Sequence, residues 1–212
     1  ISEIFLVEGY MDVIGLSRNG IENCVANLGT ALTDRQISIL NQFYQEIVIC
    51  FDSDESGYKA AVRAAENSIK ELQPEKQISF LFLPEGEDPD SYVNKNGKNT
   101  FLDFFKTNKI AIHDFLFNHF KKQTTNSPSS LAILEKKLRD VSNTIKDEFI
   151  KKYVLNFFLG KMSQFSPNLS TSKKFAIKHV SSLSSTKKIF NETKSLNKEE
   201  LQEYSLLYLI TN

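Results

Sequence analysis

IVICFDSDESGYKAA, Ile47 to Ala61, runs from five consecutive apolar residues into two aspartates one residue apart and then into helical spacing. An apolar run of this length, bounded by turn residues, reads as a strand buried on both faces, the kind found in parallel sheets. The acidic knot after it has two readings. Asp and Ser ahead of a helix satisfy the free amides of its first turn, which makes Asp52, Ser53, Asp54 and Ser56 a turn and an N-cap. An Asp-x-Asp pair in extended chain also presents both carboxylates on one side, as hard oxygen ligands for a divalent cation. Carboxylates arriving at the same place from elsewhere in the chain would decide between them.

Outward from this stretch, apolar runs alternate with helical patterns: IFLV (4–7) then MDVIGLSR, CVANL (24–28) then TDRQISILNQF, and ISFLFL (78–83) then SYVNK. Strand alternating with helix predicts an α/β fold, a parallel sheet flanked by helices on both faces. Gly20 follows the first helix, Thr33 with Gln36 forms a capping box for the second, and Pro74 closes the third. Beyond Asn96 the strand signals stop and the spacing is helical, as in Leu131, Leu134, Leu138 and Val141, which predicts an all-α bundle. The expected organisation is therefore an α/β domain over 1–95 and a helical bundle over 96–165. A linker-like stretch over 166–198 follows, with FAIKHV as a short helix, and then a final amphipathic helix over 199–212.

The 212 residues are 41% hydrophobic and include 17 Phe, enough for a substantial core. No apolar run is long enough to span a membrane and no secretory signal opens the chain, so a cytoplasmic protein is expected. Cys24 and Cys50 sit singly in apolar runs and predict buried thiols, not a disulfide or a zinc site. The formal net charge of zero hides a division: residues 1–95 hold 7 Lys and Arg against 16 Asp and Glu, net −9, and residues 96–212 hold 19 against 10, net +9. An acidic half suits cations. The lysine excess reads first as a solvated helical surface and second as a polyanion contact.

Ligands of an open parallel sheet bind outside the carboxyl ends of its strands. Glu8 follows the first expected strand, Asp52 and Asp54 the third, and Asp88 and Asp90 the fourth. Five acids packed together without a cation would repel, and carboxylate oxygens suit Mg²⁺ or Mn²⁺. An EF-hand is excluded, because its twelfth loop position would be Arg63 where a bidentate Glu is required, and a strand precedes the loop. His113 and His119, six apart, face different sides of one helix, and His179 lies in the linker-like stretch, so no nucleophile–base pair is formed. Phe104, Phe105, Phe115, Phe117 and Phe120 recur at helical spacing and are expected in the core.

EGYMDVIGL, NLGTALT, FDSDESGYKAA and LPEGEDPDSYV, in this order, closely resemble the TOPRIM half of the RNA polymerase domain of bacterial DnaG-type DNA primases. The likeness is strong over residues 3–95 and looser to about 165. It implies that Glu8, Asp52 and Asp54 are catalytic and that Glu8, Asp52, Asp54, Asp88 and Asp90 hold Mg²⁺ or Mn²⁺. Gly9 and Gly57 would allow tight turns beside the acids. Tyr10 and Arg63 would be walls or helix-face residues, and Lys59 a weaker candidate for neutralising a phosphate. The implied partners are a single-stranded DNA template, ribonucleoside triphosphates, the RNA primer and, through a C-terminal domain that ELQEYSLLYLI would begin, the replicative helicase. Zinc belongs to an upstream domain of such proteins, and the opening Ile1 together with this likeness suggests the middle of a longer chain. Two other readings stand beside it: a TOPRIM topoisomerase or nuclease module, although no tyrosine has a nucleophile's context, and a non-catalytic interaction module.

Overall fold

The structure, a computed structural model, describes residues 2–27 and 32–165. In chain order these form β1 (Glu3–Val7), α1 (Tyr10–Arg18), β2 (Cys24–Ala26), α2 (Asp34–Phe43), β3 (Glu46–Phe51), α3 (Glu55–Ser68) with a 3-10 turn at Ile69–Glu71, β4 (Gln77–Phe82) and α4 (Pro89–Asn108). They continue with β5 (Ile110–Ala111), α5 (Ile112–Lys122), α6 (Pro128–Asn143) and α7 (Glu148–Ser163). Residues 28–31, the linker-like stretch with His179 and the expected helix over 199–212 lie outside the described residues.

The sheet order is β2-β1-β3-β4-β5, with the first four strands parallel. β3 is central, and all of Ile47 to Phe51 is buried, as a strand covered on both faces must be. Alternate side chains divide between two cores. Phe5, Val7, Val48, Cys50 and Leu81 face α1 and α4, whereas Ile4, Leu6, Ile47, Ile49 and Phe80 face the remaining helices. Cys24 and Cys50 are buried free thiols.

β5 corrects the expectation that no strand follows Asn96: it pairs antiparallel with β4, Ala111 opposite Ser79 and Ile110 opposite Phe80. Two residues are too short for a period-2 pattern to register. The pairing is held beside a polar tie in which Lys109 Nζ donates to both oxygens of Glu46 at 2.8 and 2.7 Å, and Ser79 Oγ donates to Glu46 at 2.8 Å.

SYVNK and FLDFFKT, read as separate helices, are the two segments of α4, which is broken at Gly97, where the backbone is non-helical (φ 81°, ψ 165°). The boundary drawn between residues 95 and 96 falls beside this break. The second segment carries Phe101 and Phe105 edge-on to Phe5, at centroid distances of 5.5 and 5.1 Å. On the opposite face Phe115 of α5 stacks on Phe80 at 4.9 Å, and α6 and α7 add Leu134, Leu138, Val154 and Phe158 to the same core. Tyr58 of α3 meets His119 Nδ1 at 3.1 Å, while His113 packs edge-on against Phe157, so the two histidines do face different ways. All the described residues fall in one unit, 1–167. Among them no helix is long and apolar enough to cross a membrane.

Some of the lysine excess is spent inside this unit, since Lys109 pairs with Glu46 and Lys146 with Glu71. Phe101→Ala is expected to cost about 3–5 kcal/mol of unfolding free energy, as large-to-small changes in a closed core do. Urea denaturation followed on the sheet checks this, and an unchanged midpoint would show that residues 96–108 do not support it.

Candidate functional site

The carboxyl edge of the sheet is where α1, α3 and α4 begin, because each parallel strand leads into a helix that starts there. At the end of β3 the backbone turns immediately. Asp54 is the N-cap of α3, accepting the Gly57 amide on Oδ1 at 2.6 Å. Gly57 is helical and buried against the preceding loop, and a Cβ on it would stand 2.3 Å from the Asp52 carbonyl oxygen. The residue is required for this close approach, not for the tight bend its position suggests. Both readings of the acidic knot therefore hold together: one oxygen of Asp54 caps the helix, and Asp52 is pinned beside it, half-buried.

Glu8 follows β1 and reaches solvent at the mouth of the site. Four residues on, Asp12 is buried at 9% exposure and was missed by the sequence reading, which took MDVIGLSR only as a helix. Its carboxylate accepts the Gly9 amide at 3.0 Å, and the backbone N–H of Asp90 lies near enough to favour its ionised form, so the β1–α1 loop sits beside the start of α4. Gly9 itself is extended (φ −123°), a conformation open to any residue. The available signal for Asp12 was its place in the first turn behind Glu8, a position that acids also occupy for the helix dipole alone.

After β4, Asp88 is the N-cap of α4 and accepts the Ser91 amide at 2.7 Å. Asp90 turns to α1: its carboxylate accepts from Asn94 at 2.6 Å and lies on Gly15, where a Cβ would come within 2.0 Å of Oδ1. Asn94 accepts in turn from Asn19 at 2.9 Å.

Partial desolvation raises the acids first, and their neighbours' charges add to it. Glu8 is pushed above the ordinary carboxylate range by partial desolvation and then by the charges of Asp52, Asp12 and Asp54. Asp52 is raised by desolvation, Asp54 and Asp88. Asp12 is raised by desolvation, opposed by the Gly9 and Asp90 amides, with Asp88 and Asp52 adding. A cavity of about 420 Å³ is lined by Glu8, Asp52 and Asp54 together with Asn27 and Arg63. Of the five acids expected there, Glu8, Asp52 and Asp54 share that wall, Asp88 acts on Asp52 and Asp12 through its charge, and Asp90 stands aside on α1. Lys59 is occupied by Glu55 at 2.6 Å, and Tyr10 is 63% exposed on α1.

Among the described residues no three His, Cys, Asp or Glu side chains stand close enough to enclose an ion by themselves. Mg²⁺ rarely needs such a cage, because it keeps waters and takes one or two carboxylates together with substrate phosphates. Hard, mutually repelling oxygens around an open cavity fit that mode.

A Toprim-like family model matches residues 5–93. The chain is 52% identical over 101 residues to a DNA primase of Pseudomonas aeruginosa, covering 48% of this chain and 15% of that protein. It is 36% identical over 170 residues to a DNA primase of Rickettsia prowazekii, covering 80% and 28%. A solved DnaG primase catalytic domain bound to single-stranded DNA superposes with a TM-score of 0.71 at 32% identity, over 76% of this chain and 52% of that one. The chain belongs to the DnaG-type primase family. It spans less than a third of the length of those two curated primases. In this primase-family chain the Toprim-like match covers β1 to the first turns of α4, the part that bears every acid of the site.

Two outcomes follow for stability without metal. Asp54→Ala is expected to cost about 1 kcal/mol through loss of the cap, and Asp54→Asn much less because Asn caps equally well; thermal melts in chelator compare them. Asp52→Asn is expected to raise the melting temperature at neutral pH. The native state holds the Asp52 proton more tightly than the unfolded chain, so ionising it lowers stability as pH rises above the ordinary Asp range. The gain should vanish below about pH 4, where the carboxyl is protonated in both states.

Proposed function

We propose that this chain is part of the catalytic core of a DNA-directed primer synthase, which makes short RNA primers from ribonucleoside triphosphates on a single-stranded DNA template in the cytoplasm. The observation that carries the proposal is the convergence of Glu8, Asp52 and Asp54, from two strand ends, on one cavity wall where partial desolvation, and then neighbouring charge, destabilises the ionised forms of Glu8 and Asp52. Such a wall favours cationic partners, and membership of the primase family supplies the substrate class. The binding of single-stranded DNA by the solved primase catalytic domain supports the template.

In this reading Glu8, Asp52 and Asp54 hold Mg²⁺ or Mn²⁺. A divalent cation there neutralises phosphate charge and makes an attacking hydroxyl more acidic. The protein's own part is positional. Gly57 and the Asp54 cap fix the β3–α3 turn, Asp12 sits where the loop after β1 meets the start of α4, Asp88 adds negative charge, and Asp90 seats α4 on α1. The sheet edge is strongly acidic, so grip on the template must come from lysines and arginines elsewhere, since non-specific nucleic-acid binding rests on phosphate neutralisation. The replicative helicase is proposed as a partner of the whole protein on family grounds.

Calorimetric titration with Mn²⁺ tests the metal reading. Asp52→Asn is expected to weaken binding about tenfold, and unchanged affinity would remove the site from this loop. Asp54→Asn combined with Asp88→Asn should be non-additive, whereas Asp54→Asn with Asp90→Asn should add, because Asp90 faces α1. The 212-residue chain alone is expected to make no primer; template-dependent RNA synthesis abolished by Asp52→Asn would locate the nucleic-acid grip within it.

A further inference from the structure

Arg63 lines the same cavity as Glu8, Asp52 and Asp54, yet it has no ion pair, hydrogen bond or ring contact among the described residues. This is unexpected in an acidic region. Lys59, one turn earlier on α3, is taken by Glu55, while Arg63 is exposed and left without a carboxylate. Beside Arg63, α3 gives the cavity wall only the small residues Ser56, Gly57, Ala60 and Ala64, which lie along one face of the helix, while Leu6, Leu32, Ile49 and Phe51 form its apolar floor. Arg63 is eight residues beyond Glu55, a rise of roughly 12 Å along the axis. The result is a trough lined by carboxylates at the head of α3 and, farther along the helix, by a guanidinium with no partner among the described residues. Its volume of about 420 Å³ lies within the usual range for small-molecule sites, about 300–1,000 Å³.

We propose that Arg63 binds the polyphosphate tail of a nucleoside triphosphate lying in this trough, with the phosphate nearest the sugar toward Glu8, Asp52 and Asp54. The inference rests on the metal-dependent nucleotidyl-transfer reading and adds to it the residue that sets the direction of the tail. A guanidinium presents a planar fork of donors that matches two phosphate oxygens, and it remains charged at every working pH. Small side chains on α3 let the phosphates lie close to the helix. Opposite charges at the two ends give the trough a polarity: the carboxylates require cations between themselves and any phosphate, and Arg63 requires none. A nucleic-acid backbone could offer phosphate oxygens as well, but each backbone phosphate is flanked by two sugars, and a bare polyphosphate end suits a wall of glycine and alanine better.

The test measures tripolyphosphate binding to the full chain by calorimetry at saturating Mn²⁺, with a single-stranded oligodeoxynucleotide as the second ligand. Arg63→Gln is expected to weaken tripolyphosphate about tenfold, the worth of one charge-assisted contact, and Arg63→Lys to recover part of the loss. Mn²⁺ affinity without tripolyphosphate should hold or tighten in Arg63→Gln, because a cation has left an acidic wall. Arg63 is exposed, so both variants should melt near the parent temperature. Equal tripolyphosphate affinity in parent and Arg63→Gln overturns the proposal, as does weakening of the oligonucleotide alone. Either result leaves the metal reading standing if Mn²⁺ binding still depends on Asp52. Mn²⁺ binding indifferent to Asp52→Asn, or absent, overturns both.

Discussion

Like-charge repulsion at the carboxyl edge of the sheet is the constraint around which the other features are arranged. Glu8, Asp12 and Asp52 are each held above the ordinary carboxylate range, with neighbouring acids among the causes. Such a group stays together only if its backbone cannot move apart. The ends of β1 and β3 are fixed by side chains buried on both faces of the sheet, and the β3–α3 turn is fixed by Gly57 lying on the Asp52 backbone. The βα order also brings the N-termini of α1, α3 and α4 to this edge, and the positive end of each helix dipole offsets part of the charge, typically about 0.3–1 kcal/mol each. Asp54 and Asp88 join the two roles, capping α3 and α4 while contributing charge to the cluster.

Stability is supplied on the faces of the sheet, away from that edge. Phe5, Phe101 and Phe105 close one face, and Phe51, Phe80, Phe82 and Phe115 close the other in stacked pairs. The helices after residue 108 brace the second face, with Tyr58 and His119 adding a polar contact between α3 and α5. The opposed charges of the two halves of the chain are partly used in this bracing, through Lys109 with Glu46 and Lys146 with Glu71. Partly buried pairs of this kind are screened less than the exposed Lys59–Glu55 pair on α3.

An acidic cavity that also holds an arginine with no partner among the described residues has two electrostatic characters within one helix length. The carboxylates at the head of α3 attract cations, and Arg63 attracts anions. A ligand that carries both, a metal-complexed polyphosphate, satisfies the whole wall where a bare cation or a bare anion satisfies only part of it. This is why the same lining supports both the metal reading and a direction for the substrate within it.

Periodicity determined the fold class by itself: an unbroken apolar run at 47–51 and one at 78–83 interrupted by Ser79 had to be strands buried on two faces, and helical spacing between them had to supply the cover. The order of elements then determined that Glu8, Asp52 and Asp54 would meet, because parallel strands put all their exits on one edge. The caps at Thr33 and Asp54 were legible because capping is local chemistry, and the cap at Asp88 went unread. The tertiary structure alone decided what depends on distant neighbours. Asp12 is buried beside the Asp90 amide, which comes from another loop, and Asp90 leaves the cavity wall because Gly15 opens a space on α1. β5 exists because β4 offers it a partner, its own two residues carrying no period. Arg63 lines the same cavity as the acids without pairing to any of them among the described residues, which a one-dimensional pattern cannot express, since spacing assigns a residue to a face but not to a partner.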